Sequence, residues 1–266
     1  MRGSVNKAIA AAAALFLLGI GEPRLAYATP STTYWTPATS DVQPYGVWHL
    51  GIDNYFTLTT KGGRIASLPT DAGLTVGVLP YKNVQLEVGV DVFEPSTDPL
   101  YFNAKLGTPE GALFPGCPAV NVGIFSLGTD AEATDGDART DYRILHVMAG
   151  KTMPMGFGRI HAGAYAGNKK ALTGTDGQTA NTGVMIGYDR GFLPAKDDQG
   201  SYSRWVLAAD YASGKNAMGG GGLGVYWYYT RAISLLTGPV WFNEPAVAIG
   251  NAGVRWVWTT QLDVNF

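Results

Sequence analysis

The three histidines, His49, His146 and His161, are the side chains of this sequence best suited to proton transfer or metal binding near neutral pH. A hairpin centred on Met153 and Pro154 would place His146 directly opposite His161, with Cβ atoms about 5 Å apart. Such a pair could bind a metal ion or relay a proton. Because no third ligand stands at a fixed spacing, we expect two polar groups in a hydrated interior, with no metal and no cofactor.

The composition excludes several other kinds of chemistry. The single cysteine rules out a disulfide framework and cysteine-based metal centres. A formal net charge of −2 without a basic stripe argues against nucleic-acid binding. Only 15% of the 266 residues are charged, against about 25% in soluble domains, while 36 are glycine and 12% are aromatic. Disordered chains and coiled coils have a different composition.

Most of the chain alternates polar and apolar residues with a period of two, which is typical of strands between two different environments. In residues 84–92, Leu86 and Val88 lie on one face and Glu87 and Asp91 on the other. Clusters of turn-forming residues separate about twelve such segments. They lie near residues 47–59, 72–79, 83–93, 100–106, 118–127, 142–151, 158–167, 182–190, 203–212, 222–230, 233–241 and 253–266.

One face of these segments is polar, charged or glycine, and the other is apolar. A soluble β-sandwich buries its apolar face, so this pattern instead indicates strands with lipid outside and water inside. The candidate lumen-lining residues, which would border a solute path, are His49, Asp53, Tyr55, Glu87, Asp91, Tyr101, Lys105, Tyr142, His146, Arg159, His161, Tyr165, Asp189, Arg204, Asp210, Tyr226, Tyr228, Arg255 and Asp263.

The last segment carries the most specific pattern. Trp258, Leu262, Val264 and the terminal Phe266 share one face, and polar residues alternate with them. This pattern resembles the C-terminal targeting strand of bacterial outer-membrane β-barrel proteins, in which it is an assembly signal. The resemblance implies an all-β fold, a closed antiparallel transmembrane β-barrel of about 12 strands, with about 10 to 14 allowed.

The same resemblance implies a place in the outer membrane of a Gram-negative envelope. The partners would be outer-membrane lipid, lipopolysaccharide, the barrel-assembly machinery and a small-molecule solute, and we expect a monomer. The N-terminus predicts export, since Arg2 and Lys7 precede an apolar stretch too short to cross a bilayer and an A-x-A site ends at Ala28. The chain is thus divided into a cleaved signal peptide (1–28), an N-terminal periplasmic segment (29–46) and the barrel (47–266).

Three functions are compatible with such a barrel. We favour a narrow channel for small polar or amphipathic solutes, because glycine at many inward positions leaves space. Acidic residues outnumber basic ones among the candidates, which predicts a preference for cations. The alternative is a non-conducting barrel with a structural or partner-scaffolding role. A barrel hydrolase is the third, but the H-x-S-N-G-like motif of barrel lipid hydrolases is absent after His161, and we expect no enzymatic activity.

Overall fold

The computed structural model is a closed barrel of twelve antiparallel strands, which confirms the predicted fold class and strand number. It describes residues 35–59, 68–132, 139–248 and 253–266, so the predicted signal peptide lies outside the described residues. The strands are β1 Trp48–Phe56, β2 Thr70–Gly77, β3 Gln85–Glu94, β4 Leu100–Thr108, β5 Ala119–Gly128, β6 Asp141–Thr152, β7 Arg159–Ala166, β8 Thr182–Asp197, β9 Gly200–Ala212, β10 Gly220–Tyr228, β11 Ile233–Phe242 and β12 Trp256–Asn265.

The sheet closes where β1 meets β12. Each strand pairs with its neighbours in sequence, and β1 and β12 form the remaining antiparallel pair. At this seam the backbones of Trp48 and Phe266 exchange two hydrogen bonds, with N···O distances of 2.9 and 3.0 Å. We call the end of the barrel that carries Trp48 and Phe266 the terminal end, and the opposite end the loop end. Closure thus pairs the first and last strands of the described sheet, which removes its two edges.

The period-two alternation places polar side chains inside and apolar side chains outside. Glu87, Lys105 and His161 point inward and are only 2, 4 and 0% exposed. Val147 and Val184 point outward and are 54 and 53% exposed. This distribution is the reverse of that in a water-soluble barrel, and it is the distribution that a lipid environment requires.

Aromatic side chains are exposed near both ends of the barrel wall. Trp48 and Phe266 at the terminal end are 41 and 67% exposed, and Phe56 and Trp241 at the loop end are each 39% exposed. Such girdles border the apolar band of membrane barrels. The predicted assembly signal lies on the outward face of the last strand, where Trp258, Leu262, Val264 and Phe266 alternate with buried residues.

The β6–β7 hairpin differs from its prediction. The structure pairs His146 with Tyr165 and Gly150 with His161, so the prediction that the two histidines face each other is wrong. The reason is the turn, which runs through a short 3-10 turn at Pro154–Gly156 and shifts the centre of the hairpin along the chain. A two-residue turn at Met153 and Pro154 is therefore not formed.

Strands β8 and β9 are longer than predicted. They continue in register to the pair Asp197 and Gly200, which leaves a two-residue turn. Gly191 and Pro194 interrupt the alternation there, and such residues normally mark the end of a strand. Within the described residues, no helix is long and apolar enough to cross a membrane.

Replacing Val147 with arginine tests the outward face of the barrel. Val147 lies near the middle of β6, so an arginine there would meet the apolar band, at a cost of about 2–4 kcal/mol. We expect this loss in the unfolding free energy measured by urea titration in lipid vesicles, whereas Val147→Leu should change it little. Equal stability of the two variants would show that Val147 does not face lipid.

Candidate functional site

Residues 35–44, which we call the lumen segment, run through the interior of the barrel. Tyr45, just after the segment, bridges to β2 at the terminal end. Trp35, at its start, packs edge-on against Tyr55 and Phe242 near the loop end, with ring centroids 5.3 and 4.9 Å apart. The segment therefore spans the lumen from the terminal end toward the loop end.

The sequence predicts an N-terminal periplasmic segment at residues 29–46; of these, 35–44 lie inside the barrel and 29–34 lie outside the described residues. Short side chains allow the chain to lie against the wall, and Thr39 and Ser40 are only 0 and 2% exposed. The segment lacks period-two alternation because it faces the polar lumen on several sides rather than lipid on one.

A bidentate ion pair anchors the lumen segment to the wall. Arg159 on β7 donates from Nη1 and Nη2 to the two carboxylate oxygens of Asp41, at 2.7 and 2.5 Å. Its Nε donates to Oδ2 of Asp189 on β8, at 3.1 Å. Because Arg159 is only 5% exposed, these two carboxylates offset a guanidinium charge that would be costly to bury alone.

Backbone groups of the segment also find partners on the wall. The N–H groups of Trp35 and Thr36 both donate to Oδ2 of Asp210, at 3.0 Å. The N–H group of Gln43 donates to Oε2 of Glu87, at 2.6 Å. A buried segment outside the sheet needs such acceptors, since each unpaired N–H group would cost free energy.

Ser40, His161 and Asp189 form a hydrogen-bonded chain in the order of a hydrolase triad. The Ser40 hydroxyl lies 3.0 Å from Nδ1 of His161, and Nε2 of His161 lies 2.9 Å from Oδ2 of Asp189. The Ser40 N–H group also donates to Nδ1, at 3.0 Å, so Nδ1 is an acceptor and Nε2 carries the proton. Since His161 is fully buried and Ser40 is 2% exposed, the hydroxyl has no free face toward a substrate.

Inward glycines make room for the lumen segment. A Cβ atom at Gly187 would overlap the carbonyl oxygen of Ala38, and one at Gly77 would overlap that of Pro44. The sequence-based interpretation that inward glycine leaves open space is therefore wrong at these positions. Here the absence of a side chain permits close approach of another backbone.

The side of the lumen bordered by β9–β12 is filled with apolar and aromatic side chains. Trp35 of the lumen segment packs against this cluster. Its buried members are Tyr202, Val206, Ala208, Tyr226, Tyr228, Leu236, Val240, Phe242, Ala248 and Val257. The opposite wall carries a second buried apolar cluster, which includes Ile144, Met148 and Met185, so a solute path would have to pass between the two clusters.

A cavity of about 200 Å³ lies along that opposite wall, bordered mainly by β1–β6. Four successive inward positions of β1 line it, namely His49, Gly51, Asp53 and Tyr55. At about 3.3 Å per residue, these positions extend over about 20 Å of strand. The cavity thus follows most of the length of β1.

Two ion pairs lie in the cavity wall toward the terminal end. Nζ of Lys105 lies 3.2 Å from Oε1 of Glu87, and Nε2 of His49 lies 3.4 Å from Oδ1 of Asp263. All four side chains are at most 8% exposed. The charge of Glu87 is therefore matched within the wall, and that of Asp263 has a histidine partner.

Three further carboxylates face the cavity on neighbouring strands. Asp53 on β1 lies directly opposite Asp71 on β2, and Asp91 on β3 accepts a hydrogen bond from Nδ2 of Asn103, at 2.8 Å. Within the described ranges, none of the three has an ion-pair partner. Oδ1 of Asp71 is buried and has no hydrogen bond to any residue that the structure describes. Carboxyl groups are thus concentrated on this part of the wall.

His146 on β6 lines the same cavity. It is 5% exposed, and its ring packs against that of Phe125, with centroids 5.5 Å apart. Among the residues that the structure describes, neither ring nitrogen of His146 has a hydrogen-bond partner. A buried imidazole normally has one, so this ring presents free hydrogen-bonding capacity in the cavity wall.

Comparison with known proteins identifies no family: no family model matches the chain, and no curated protein matches it. Among solved structures, it is similar to an outer membrane channel from Pseudomonas putida F1, with a TM-score of 0.48 and 10% identity over 85% of this chain and 98% of that one. It is also similar to OmpF of Salmonella typhi in complex with daunomycin, with a TM-score of 0.38 and 8% identity over 83 and 96%. A third similar structure is a loop-deletion mutant of OmpT, an outer membrane protein of Vibrio cholerae. Its TM-score is 0.34, with 10% identity over 84% of this chain and 98% of that one.

The predicted lumen residues fall into three groups. Those that line the cavity are His49, Asp53, Tyr55, Glu87, Asp91, Lys105, Tyr142, His146 and Asp263. Those that hold the lumen segment or its anchors are Arg159, His161, Asp189 and Asp210. Those outside the cavity are the buried Tyr101, Tyr165, Tyr226 and Tyr228, the half-buried Arg204, and Arg255, which precedes β12 and is exposed at the loop end.

Sequence reasoning missed Asp71, because the second strand was predicted to begin at residue 72. The structure begins β2 at Thr70, and Asp71 continues the inward set of Gly73 and Thr75. Extending the alternation by one position would have found it. No periodic signal marks Trp35, which reaches the cavity only because the lumen segment enters the barrel.

Proposed function

We propose that this protein is an outer-membrane channel of low conductance for small polar or amphipathic solutes, with a preference for cations. The observation that carries the proposal is the cavity that follows β1 along the lumen segment. The carboxylates of Asp53, Asp71 and Asp91 in its wall favour positive charge, as acidic rings do in cation channels.

The exposed surface supports placement in a bilayer. An apolar band bordered by aromatic residues suits outer-membrane lipid, with lipopolysaccharide at the loop end and the terminal end toward the periplasm. The outward face of β12, with Leu262 and Phe266, suits recognition by the barrel-assembly machinery. We propose a monomer, since the closed sheet offers no edge for pairing with a second copy.

The lumen segment would make the path narrow. It lies beside the cavity, held by Asp210 and Arg159 on one wall and, toward its end, by Glu87 on β3. We propose that a solute passes along β1–β3, past Asp53, Asp71 and Asp91, and meets the segment where Gln43 binds Glu87.

A non-conducting barrel is the second candidate. The apolar cluster of β9–β12 and the lumen segment together fill much of the interior, as expected of a barrel whose lumen is a packed core. In that case the protein would scaffold a partner at its loops. The two candidates differ in whether ions cross a bilayer that contains the protein.

The chain Ser40–His161–Asp189 raises the question of hydrolysis. We propose that it locks the lumen segment in place rather than attacking a substrate. The hydroxyl is enclosed by the wall, and displacing the segment to admit a substrate would also remove Ser40 from His161. The protein is therefore proposed to have no catalytic role.

Reversal potentials in planar bilayers test the channel proposal. With a gradient of potassium chloride across the bilayer, we expect small conductance steps and a reversal potential of the sign that cation flow produces. Gly51→Val should lower the step size, because its Cβ would project toward His49 and Asp53 in the cavity.

The control is Ala162→Val on the outward face of β7, which should leave the step size unchanged. A reversal potential of the opposite sign would contradict the charge assignment. Absence of steps in the wild type and after removal of the lumen segment would favour the non-conducting barrel.

A further inference from the structure

We infer that the carboxylates of Asp53, Asp71 and Asp91 form a binding site for a small organic diamine in the lumen. The inference names the solute class of the path proposed above, and it rests on that proposal for the route by which the ligand arrives. Binding itself can be measured without conduction.

The wall around Asp53, Asp71 and Asp91 carries more carboxyl groups than basic side chains. Elsewhere in the cavity each carboxylate faces a basic side chain, Glu87 with Lys105 and Asp263 with His49. Asp53 and Asp71 are direct cross-strand neighbours, a spacing of about 5 Å between Cβ atoms at which like charges repel. Within the described residues neither has a cationic partner, so a cation between them would relieve the repulsion.

The imidazole of His146 offers a hydrogen-bond acceptor in the same cavity. This ring is only 5% exposed and lines the same cavity from β6, and neither of its nitrogens has a hydrogen bond within the described part of the chain. An ammonium group is a donor with three N–H bonds and no acceptor. A ligand with more than one ammonium group would supply the donor that this buried acceptor lacks.

The arrangement of the carboxylates favours an organic cation over a metal ion. Among the residues that the structure describes, no group of three or more His, Cys, Asp or Glu side chains is arranged to hold a metal ion. By this criterion the carboxylates of the three neighbouring strands do not converge on one ion. A chain with a charge at each end can bridge acceptors that one ion cannot contact together.

The cavity wall beside these carboxylates also has an apolar part. Phe93 is the cross-strand neighbour of Asp71 on β3, and Trp35 and Tyr55 stand near Asp53 at the loop end of the cavity. These rings offer surface for methylene groups and favourable contact for an ammonium group over a ring face. Carboxylates next to aromatic rings suit an alkyl diamine better than a fully hydrated inorganic cation.

Isothermal titration calorimetry on the detergent-solubilised full barrel tests the site, with 1,4-diaminobutane as the probe. We expect saturable binding of the diamine and about tenfold weaker binding of n-butylamine, which has one charge. Asp53→Asn/Asp71→Asn keeps the side-chain shapes and should weaken diamine binding by about tenfold or more. His146→Phe should weaken it several-fold.

The matched control is Asp176→Asn in an exposed loop outside the lumen, which should bind the diamine like the wild type. Heat-modifiable migration in gels verifies that each variant is folded; if the double variant fails to fold, Asp71→Asn alone should still weaken binding several-fold. Three results would each overturn the inference. The first is that the wild type binds no diamine, the second that the folded carboxamide variants bind it as well as the wild type does, and the third that potassium ions displace the diamine as effectively as n-butylamine does. A cation-selective conductance alongside any of these results would leave the proposed channel intact.

Discussion

Deletion of residues 35–44 is expected to raise the single-channel conductance several-fold. The lumen segment runs through the interior from Trp35 near the loop end to Pro44 against Gly77 at the terminal end, so its removal would widen the path over most of the barrel height. The measurement is the step size in planar bilayers at one potassium chloride concentration, for the wild type and the deletion variant.

A point substitution provides an independent approach to the same result. Gly187→Val places side-chain atoms where the carbonyl oxygen of Ala38 lies, so the segment must leave this part of the wall. We expect a higher conductance for Gly187→Val and a lower one for Gly51→Val, although both replace an inward glycine with valine. If the conductance changes in opposite directions in the two variants, displacement of the segment can be distinguished from simple narrowing of the lumen.

The result that would contradict this account is an unchanged step size in a correctly folded deletion variant. In that case the segment would not obstruct ions, and the narrow path would need another cause. Heat-modifiable migration of the deletion variant establishes that the barrel itself has formed.

Substitution of Arg159 is expected to cause the largest loss of stability. Arg159→Leu leaves the carboxylates of Asp41 and Asp189 without their guanidinium partner in the barrel interior. Breaking a buried ion pair by removing one partner costs about 3–5 kcal/mol. We expect that loss in the unfolding free energy from urea titration in lipid vesicles.

Two controls make the measurement specific to the lumen anchor. Lys151→Leu removes a partly exposed ion pair with Glu110, 2.7 Å long, and should cost only about 0–1 kcal/mol. The double variant Arg159→Leu/Asp41→Leu should lose less stability than the sum of its two single variants, because it also removes one stranded carboxylate. Additive losses would mean that Asp41 and Arg159 do not act as a pair.

Release of the segment can be observed directly by thiol labelling. Val42 is 5% exposed, so Val42→Cys in a Cys117→Ser background should react slowly with a maleimide reagent. Adding Arg159→Leu should accelerate the reaction. An equal rate in both proteins would show that the ion pair does not hold the segment.

The local sequence pattern was sufficient to predict the strands of the barrel wall and the faces of their residues. The alternation of residues such as Leu86 and Glu87 places apolar groups in lipid and polar groups inside, and each strand carries this information by itself. The alternation does not predict the ends of strands where it is interrupted, as at Pro194 in β8. Backbone pairing in the hairpin continues there without it. The alternation also fails to fix the register of the β6–β7 hairpin, which depends on the turn at Pro154–Gly156.

From the sequence alone, one can determine that the chain forms an antiparallel barrel with a polar interior, and that His49, Asp53, Glu87 and His146 face that interior. Only the tertiary structure decides what the interior contains. The lumen segment is held by contacts such as Asp41 with Arg159, which are 118 positions apart and belong to no common periodic pattern. The physical reason is that orientation across a sheet follows from the two-residue repeat of one strand, whereas filling of the lumen follows from charge and shape complementarity between distant parts of the chain.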